Sequence, residues 1–330
     1  MTSLFTSPVS RRTALAGLLA VSATAGCANP TETAPTAAVG SGADTITYDT
    51  SPQQAGRITH PVDESIAAQL PEAVRRTGTL VVGTAAVAGA APPLVFLATD
   101  NTTPVGAEVD MIHLIADILG LTVEARPASF ENLFVGLDAG TYQVLASNVG
   151  VSEARKEKYD FATYRLGLHA FEVKQGSTLK VSGAQDIAGK KIGVSSGTLQ
   201  EGILLTWNAE NQQAGRPQAE LLYFPAQPDA YLALQSGRID AWLGPNPTAT
   251  YHIATAHQTQ VAGTVSSAFP IPGLVGITTK KGNGLAAPIA AAIDTAIRDG
   301  SYGKVLARWG LGDEAVPASQ INPPGLPKKA

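Results

Sequence analysis

The strongest constraint on the fold is a strand–helix–strand–helix–strand order that occurs twice. In the first run, an apolar strand over 79–83 leads to a helix over 108–119. There Val109, Ile112, Ile115, Ala116 and Leu119 recur at helical spacing, and Gly120 ends the helix. A strand over 121–126, a helix over 131–139 stopped by Gly140, and a strand over 143–147 complete the run. The second run reads strand 190–194, helix 198–212, strand 219–224, helix 229–235 stopped by Gly237, and strand 239–243. Parallel neighbours need a crossover long enough to carry the chain back, and a helix supplies it. The order therefore predicts two α/β sheets with helices on their faces. A short helix over 63–76, interrupted at Pro71, precedes them. Helices over 247–256, 285–299 and 302–309 and strands over 260–263 and 274–278 follow, and the tail over 321–330 is Pro-rich. Ligands of such sheets sit beyond the carboxyl ends of the strands, so two sheets predict a cleft between two lobes.

The chain's 330 residues suit two lobes of ordinary size rather than one small core. A hydrophobic fraction of 44% against a charged fraction of 15% marks a globular protein. The net charge of −4 gives no electrostatic footprint for nucleic acid. It leaves room for an anionic ligand, because one arginine in a pocket outweighs a diffuse negative surface. His252 and His257 are five apart, there is one cysteine, and no HExxH occurs, so neither a metal nor a cofactor is expected.

The N-terminus reads as an export signal. Residues 1–10 are polar, Arg11 and Arg12 supply positive charge, and the apolar, small-residue run over 14–25 is too short to span a bilayer. The sequence Thr24-Ala25-Gly26-Cys27 resembles a bacterial lipoprotein signal, in which cleavage precedes a cysteine that receives lipid; an aliphatic residue is more usual at the place of Thr24. Ser10-Arg11-Arg12 also resembles a twin-arginine signal without the following Phe, so both export routes stay open. Cys27 is the only cysteine, which excludes an internal disulfide and makes lipid attachment the expected role over an incidental thiol. Residues 27–59, rich in Pro, Thr, Ala, Gly and Ser, are expected to form a flexible tether of roughly 30 Å.

From about residue 70 to 312 the chain resembles the polar-amino-acid binding proteins of ABC importers, solute-binding protein family 3. The matching stretches in the first half are Leu80-Val81-Val82-Gly83-Thr84, Pro92-Pro93, Val105-Gly106-Ala107-Glu108-Val109-Asp110 and Ser129-Phe130-Glu131-Asn132-Leu133. Ser152-Glu153-Ala154-Arg155 then leads into Tyr159-Asp160-Phe161. Further on come Lys191-Ile192-Gly193-Val194-Ser195-Ser196-Gly197-Thr198, Leu234-Gln235-Ser236-Gly237-Arg238-Ile239-Asp240-Ala241, and the stretch from Tyr302-Gly303 to Trp309-Gly310. Their order and spacing carry the resemblance. It implies an α/β, two-lobed periplasmic-binding-protein-like fold whose two sheets are joined by a hinge of two crossings, near 167–169 and 269–274. Lobe 1 would hold 60–168 and 272–330, and lobe 2 would hold 169–271. The implied protein is the extracytoplasmic, lipid-anchored, monomeric binding component of an importer. Its partners would be permease subunits and a carboxylate-bearing, amino-acid-like solute.

The resemblance also implies site residues. Local sequence reads Arg155 as a solvated arginine paired with a nearby Glu. The family's motif makes it the guanidinium that forks onto the ligand carboxylate. Asn148 and Gly150 fall in the loop beside it. Gly197 and Thr198 open a helix directly after a strand, which suits an anion, and Thr198 also reads as a plain N-cap. Phe130 is either core or the family's aromatic wall.

Some positions depart from the pattern. Ala85 and Pro245 stand where acids that hold a ligand ammonium are usual, with Asn246 next to Pro245, and Leu199 replaces a frequent polar residue. The expected ligand therefore lacks a free α-ammonium or points its nitrogen elsewhere, unless Glu201 or another acid fills the gap. Gly193-Val194-Ser195-Ser196-Gly197 also fits the hydrolase pattern G-x-S-x-G, with Asp240 or Asp294 and His252 or His257 as candidate partners. No HGGG-type oxyanion motif accompanies it. A non-enzyme is expected, with a dehydratase on the same fold or a solute-sensing module as the alternatives.

Overall fold

A computed structural model describes residues 47–87 and 90–328. The signal at 1–26, Cys27 and most of the expected tether lie outside the described residues. Two short helices open the fold, α1 (Glu64–Ala67) and α2 (Glu72–Thr77). Asp63 caps α1 by accepting from the amides of Ser65 and Ile66, and Gly78, in the left-handed region at φ 65°, ends α2.

The first α/β run is β1 (Thr79–Thr84), the small hairpin β2 (Phe96–Leu97) and β3 (Pro104–Val105), α3 (Ala107–Ile118), β4 (Thr122–Pro127), α4 (Phe130–Asp138) and β5 (Val144–Leu145). A long strand, β6 (Tyr159–Lys174), follows a single 3-10 turn at Arg155–Glu157. The second run is β7 (Lys191–Val194), α5 (Leu199–Gln213), β8 (Glu220–Tyr223), α6 (Gln227–Gln235) and β9 (Ala241–Pro245). Then come α7 (Asn246–Ala256), β10 (Thr259–Ser266), β11 (Gly273–Lys280), α8 (Ala286–Asp299) and α9 (Ser301–Arg308).

The expected two-lobed α/β architecture is observed. In the first lobe β1 lies parallel between β4 and β5, and β11 runs antiparallel to β5 and β6. In the second lobe β7 lies parallel between β8 and β9, and β9 runs antiparallel to β6. The two sheets share β6. Its first half pairs with β11 and its second half with β10, which lie end to end along it. The chain thus passes between lobes once inside β6 and once in the 267–272 connection. Gly167 and Gly273 face each other at this crossing, and the Ser267 hydroxyl occupies the space beside them. A β-carbon on either glycine would stand 2.2 or 2.0 Å from Ser267 Oγ.

Each lobe has its own core. Leu80 and Val82 of β1 pack with α3, α8 and α9 around the fully buried Trp309. In the second lobe Phe171, Ile192, Val194 and Trp207 form the centre, with Phe171 stacked on Trp207 at 5.7 Å. Helix α7 belongs by sequence to the second lobe, yet Ala254 and Tyr251 pack on the core of the first.

Residues 48–57, expected to belong to the tether, are docked on the fold. Tyr48 is buried between Trp309, stacked at 6.1 Å, and Tyr251, edge-on at 5.0 Å. Arg308 reaches the carboxylate of Asp49 at 3.1 Å and Gln54 Oε1 at 2.8 Å, and Arg57 reaches the buried Asp110 at 2.9 Å. One aromatic ring finding an aromatic slot fixes a segment whose composition reads as coil. The Pro-rich tail is likewise docked. Asn322 bonds the Phe161 amide and the Asp160 carboxylate, and Leu326 bonds Val151 while packing on the core of the second lobe. Tyr48→Ala should therefore destabilise the folded protein by about 3–5 kcal/mol, the range for emptying a buried aromatic site. Chemical denaturation measures this, and an unchanged midpoint would mean that residues 48–59 behave as tether after all.

Candidate ligand-binding site

The carboxyl ends of the parallel strands of both lobes converge on one cavity of about 330 Å³. Ala85 follows β1, Ser129 and Phe130 follow β4, and Ser147, Asn148 and Gly150 follow β5. From the other lobe come Ser195 and Ser196 after β7, Phe224 and Pro225 after β8, and Pro245 at the end of β9. The volume lies in the range of small-molecule sites, and most of the wall is apolar.

Arg155 stands in this wall, one residue into the turn that precedes β6. Its Nη1 donates to the Gly150 carbonyl at 2.9 Å in the first lobe, and its Nη2 donates to the Gly197 carbonyl at 3.1 Å in the second. The guanidinium lies 4.9 Å from the centre of the Phe134 ring and 5.7 Å from that of Phe130. No carboxylate of the described residues comes within ion-pair distance, so the surface pairing allowed by local sequence does not occur. Burial lowers its pKa to about 10, which leaves it a cation at neutral pH. Two of its five N–H donors are engaged with neutral carbonyls and the others remain for an anion.

The loop beside it is fixed from below. Glu108, fully buried in α3, accepts from the amide of Asn148 at 2.8 Å and from the Tyr164 hydroxyl, and pairs with Arg165 at 3.0 Å. Arg165 also pairs with Glu314 at 2.5 Å and donates to Asn148 Oδ1. Asn148 adopts φ 54°, a left-handed conformation that asparagine tolerates and that the two bonds hold in place. Sequence reading missed Arg165 and the acids around it. Charged residues scattered along an apolar segment give no local sign that they meet.

The other expected residues divide. Phe130 and Thr198 line the cavity, and Gly150 approaches the opposite lobe so closely that a β-carbon there would stand 2.5 Å from Leu199 Cδ1. The Gly197 amide, expected to face an anion, is instead taken by Glu201 at 2.8 Å. Thr198 Oγ1 caps α5 by accepting from the Glu201 amide at 3.2 Å. The helix start is thus satisfied by its own side chains, and the plain N-cap describes it. Asn246 is outside the cavity wall, and its side chain bears on the buried Glu314. Pro245 is the N-cap of α7 and Asn246 its first residue. Ala85 and Pro245 line the wall, so no acid occupies either place, and Glu201 is held by Gly197 and by the Tyr223 hydroxyl at 3.0 Å. Glu131 is the one acid in the described cavity wall, at an exposed position. The hydrolase constellation is not assembled. The Ser195 hydroxyl donates to the Phe224 carbonyl at 2.9 Å, His252 Nδ1 lies 2.5 Å from Glu172, and Asp240 accepts from the Lys191 amide at 2.7 Å.

Deep in the cavity wall, on β6, stands His169. Burial first, and then the fields of Arg165 and Arg155, push its pKa down to about 3. His113 on α3 is pushed down to about 4, chiefly by burial and then by Arg57. Both rings are neutral in the fold while an unfolded imidazole takes up a proton near its ordinary 6.5. The unfolded chain then binds more protons, so stability is full above about pH 6.5 and falls as the pH drops toward 4. The melting temperature should fall over that window, and His169→Phe should remove part of the fall. A pH-independent melting temperature across it would show that neither ring is perturbed.

Comparison with known proteins agrees with this architecture. Residues 83–312 match the family model for bacterial extracellular solute-binding proteins, family 3. The L-cystine-binding protein TcyJ of Escherichia coli K12 is 34% identical over 172 residues, 52% of this chain and 60% of that protein, so the match spans less than two thirds of that relative. The arginine-binding protein ArgT of Corynebacterium glutamicum is 25% identical over 265 residues, 79% of this chain and 84% of that protein. Among solved structures, an ancestral arginine-binding protein bound to arginine superposes with a TM-score of 0.61 at 29% identity, covering 70% of this chain and 98% of that one. With two sheets hinged on a shared strand, a cleft at their strand ends and a family match across both lobes, the chain belongs to the bacterial extracellular solute-binding proteins of family 3.

Proposed function

We propose that the protein is the extracytoplasmic substrate-binding component of an ABC importer. It closes its lobes on a small, carboxylate-bearing, amino-acid-like solute and delivers it to membrane permease subunits. The observation that carries this reading is Arg155: a cation in the cavity wall, without a carboxylate partner among the described residues, held by one carbonyl from each lobe. A ligand carboxylate supplies the missing charge through paired N–H donors. Phe130, Asn148, Gly150 and Thr198 shape the space around it. Relatives that carry the names of cystine- and arginine-binding proteins support an amino-acid-like solute. With Ala85 and Pro245 at the usual places of the acids, a ligand nitrogen turns toward Glu131 at the rim or is absent. The role is binding and not catalysis, in keeping with a Ser195 hydroxyl that donates to a backbone carbonyl. Cys27 carries the lipid that anchors the protein outside the cell membrane.

Two measurements test this reading. Arg155→Met should leave a folded protein that loses about 2–5 kcal/mol of binding free energy, a few orders of magnitude in affinity. Calorimetric titration with amino acids and their 2-oxo analogues reads it, and near-normal affinity would reduce Arg155 to a surface residue. Cys27→Ser should move the protein from the membrane fraction to the soluble fraction, and an unchanged distribution would remove the anchor.

A further inference from the structure

Three polar side chains that line the cavity lack a hydrogen-bond partner among the described residues. They are His169, 5% exposed with both ring nitrogens unpaired, Ser267, 1% exposed, and Trp242, 4% exposed with its indole N–H unpaired. A buried polar atom left unpaired costs stability, and folded proteins rarely tolerate several in one place. Here His169 and Ser267 project from the same face of paired strands. His169 on β6 is in register with Val265 on β10, and Ser267 lies two residues beyond Val265. The bare glycines at 167 and 273 leave the space that the Ser267 hydroxyl occupies.

The imidazole and the hydroxyl can each donate to a ligand oxygen, and the indole of Trp242, on the other face of the sheet, is a donor only. The formal charges that act on His169 are the guanidinium groups of Arg155 and Arg165, and the acid of the described wall, Glu131, sits at an exposed position. A cationic side chain would therefore be buried beside guanidinium groups without a compensating carboxylate. An oxygen acceptor would meet the imidazole N–H and the Ser267 hydroxyl, with no like charge to oppose it.

We propose that His169, together with Ser267, forms a second recognition point that takes a carbonyl, amide or second carboxylate of the solute and disfavours a guanidinium or ammonium side chain. This rests on the reading of Arg155 as the carboxylate anchor and adds the class of solute: a carboxylate with a second, non-cationic oxygen group. It separates this protein from relatives named for binding arginine.

The test uses the wild-type protein, His169→Phe, His169→Gln and Arg155→Met. Each is titrated with L-glutamine, 2-oxoglutarate, L-leucine and L-arginine, and each is melted without ligand. L-Glutamine or 2-oxoglutarate should bind the wild-type protein more tightly than L-leucine or L-arginine. His169→Phe should lose about tenfold or more in affinity for that ligand, the size of one or two lost hydrogen bonds, and His169→Gln should recover part of it. The ligand-free melting temperature of His169→Phe should equal or exceed that of the wild type at neutral pH, because an unpaired polar ring is replaced by an apolar one. A lower melting temperature would make His169 a structural residue and overturn the proposal. Unchanged affinity in His169→Phe, or tightest binding of L-arginine, would also overturn it while leaving Arg155 as the anchor if Arg155→Met loses all binding. A folded wild-type protein that binds none of the four would overturn the underlying reading and this one with it.

Discussion

The two lobes depend on one strand. β6 runs for 16 residues and belongs to both sheets, pairing with β11 in one lobe and with β10 and β9 in the other. Its hydrogen bonds fix the register of each sheet, and a one-residue slip would send every side chain to the wrong face. Because the strand passes through the cleft, residues near its middle reach the cavity wall while its ends stay in the cores. His169 stands there, and Arg165, four residues earlier, stands beneath it. The hinge and the floor of the site are the same piece of backbone.

That strand carries charge where a core strand would ordinarily be apolar. Arg165 is 1% exposed and lies between Glu108 of α3 and Glu314 near the end of the chain. Burial raises the Glu314 pKa even though the Arg165 charge opposes it. Taking such groups out of water costs several kcal/mol per ion, and replacing them with apolar side chains would often be neutral or better. Their geometric effect is specific, however. Glu108 and Arg165 each hold one end of Asn148, whose left-handed backbone carries the chain toward Gly150, the carbonyl that receives Arg155. The buried network thus links the core of the first lobe to the cavity wall.

Much of the fold was readable in the sequence because the helices keep a clean 3.6-residue period and end at glycines with positive φ, such as Gly78, Gly120 and Gly237. β6 was not readable as a strand. Buried on both faces and interrupted by Arg165, His169 and Glu172, it shows neither alternation nor an apolar run. Residues 48–58 read as tether because composition averages over a segment, whereas docking depends on a few particular side chains, Tyr48, Asp49, Gln54 and Arg57. In the site, Arg155, Asn148, Gly150, Phe130 and Thr198 were reachable through motif position and all line the cavity. Asn246 opens α7 with its side chain toward Glu314 and not in the cavity wall, and local sequence does not show which way a helix start faces. His169 left no sequence signal, since its importance comes from what fails to contact it.

The two lobes touch across the cleft, where Leu199 fills the space beside Gly150 and the Gly197 carbonyl receives Arg155. A carbonyl carries only a partial charge, so it satisfies a guanidinium less completely than a carboxylate does, which adds a full opposite charge and can accept two parallel bonds. On the proposed reading, a solute carboxylate replaces or joins these carbonyls and strengthens contacts that already span the cleft. On the same reading, a ligand oxygen that reached His169 and Ser267 would relieve the cost of their unpaired polar atoms. A ligand shifts a two-state equilibrium only by its differential affinity for the two states. On the proposed reading that difference would come from the under-compensated Arg155 and from the unpaired polar atoms of His169 and Ser267.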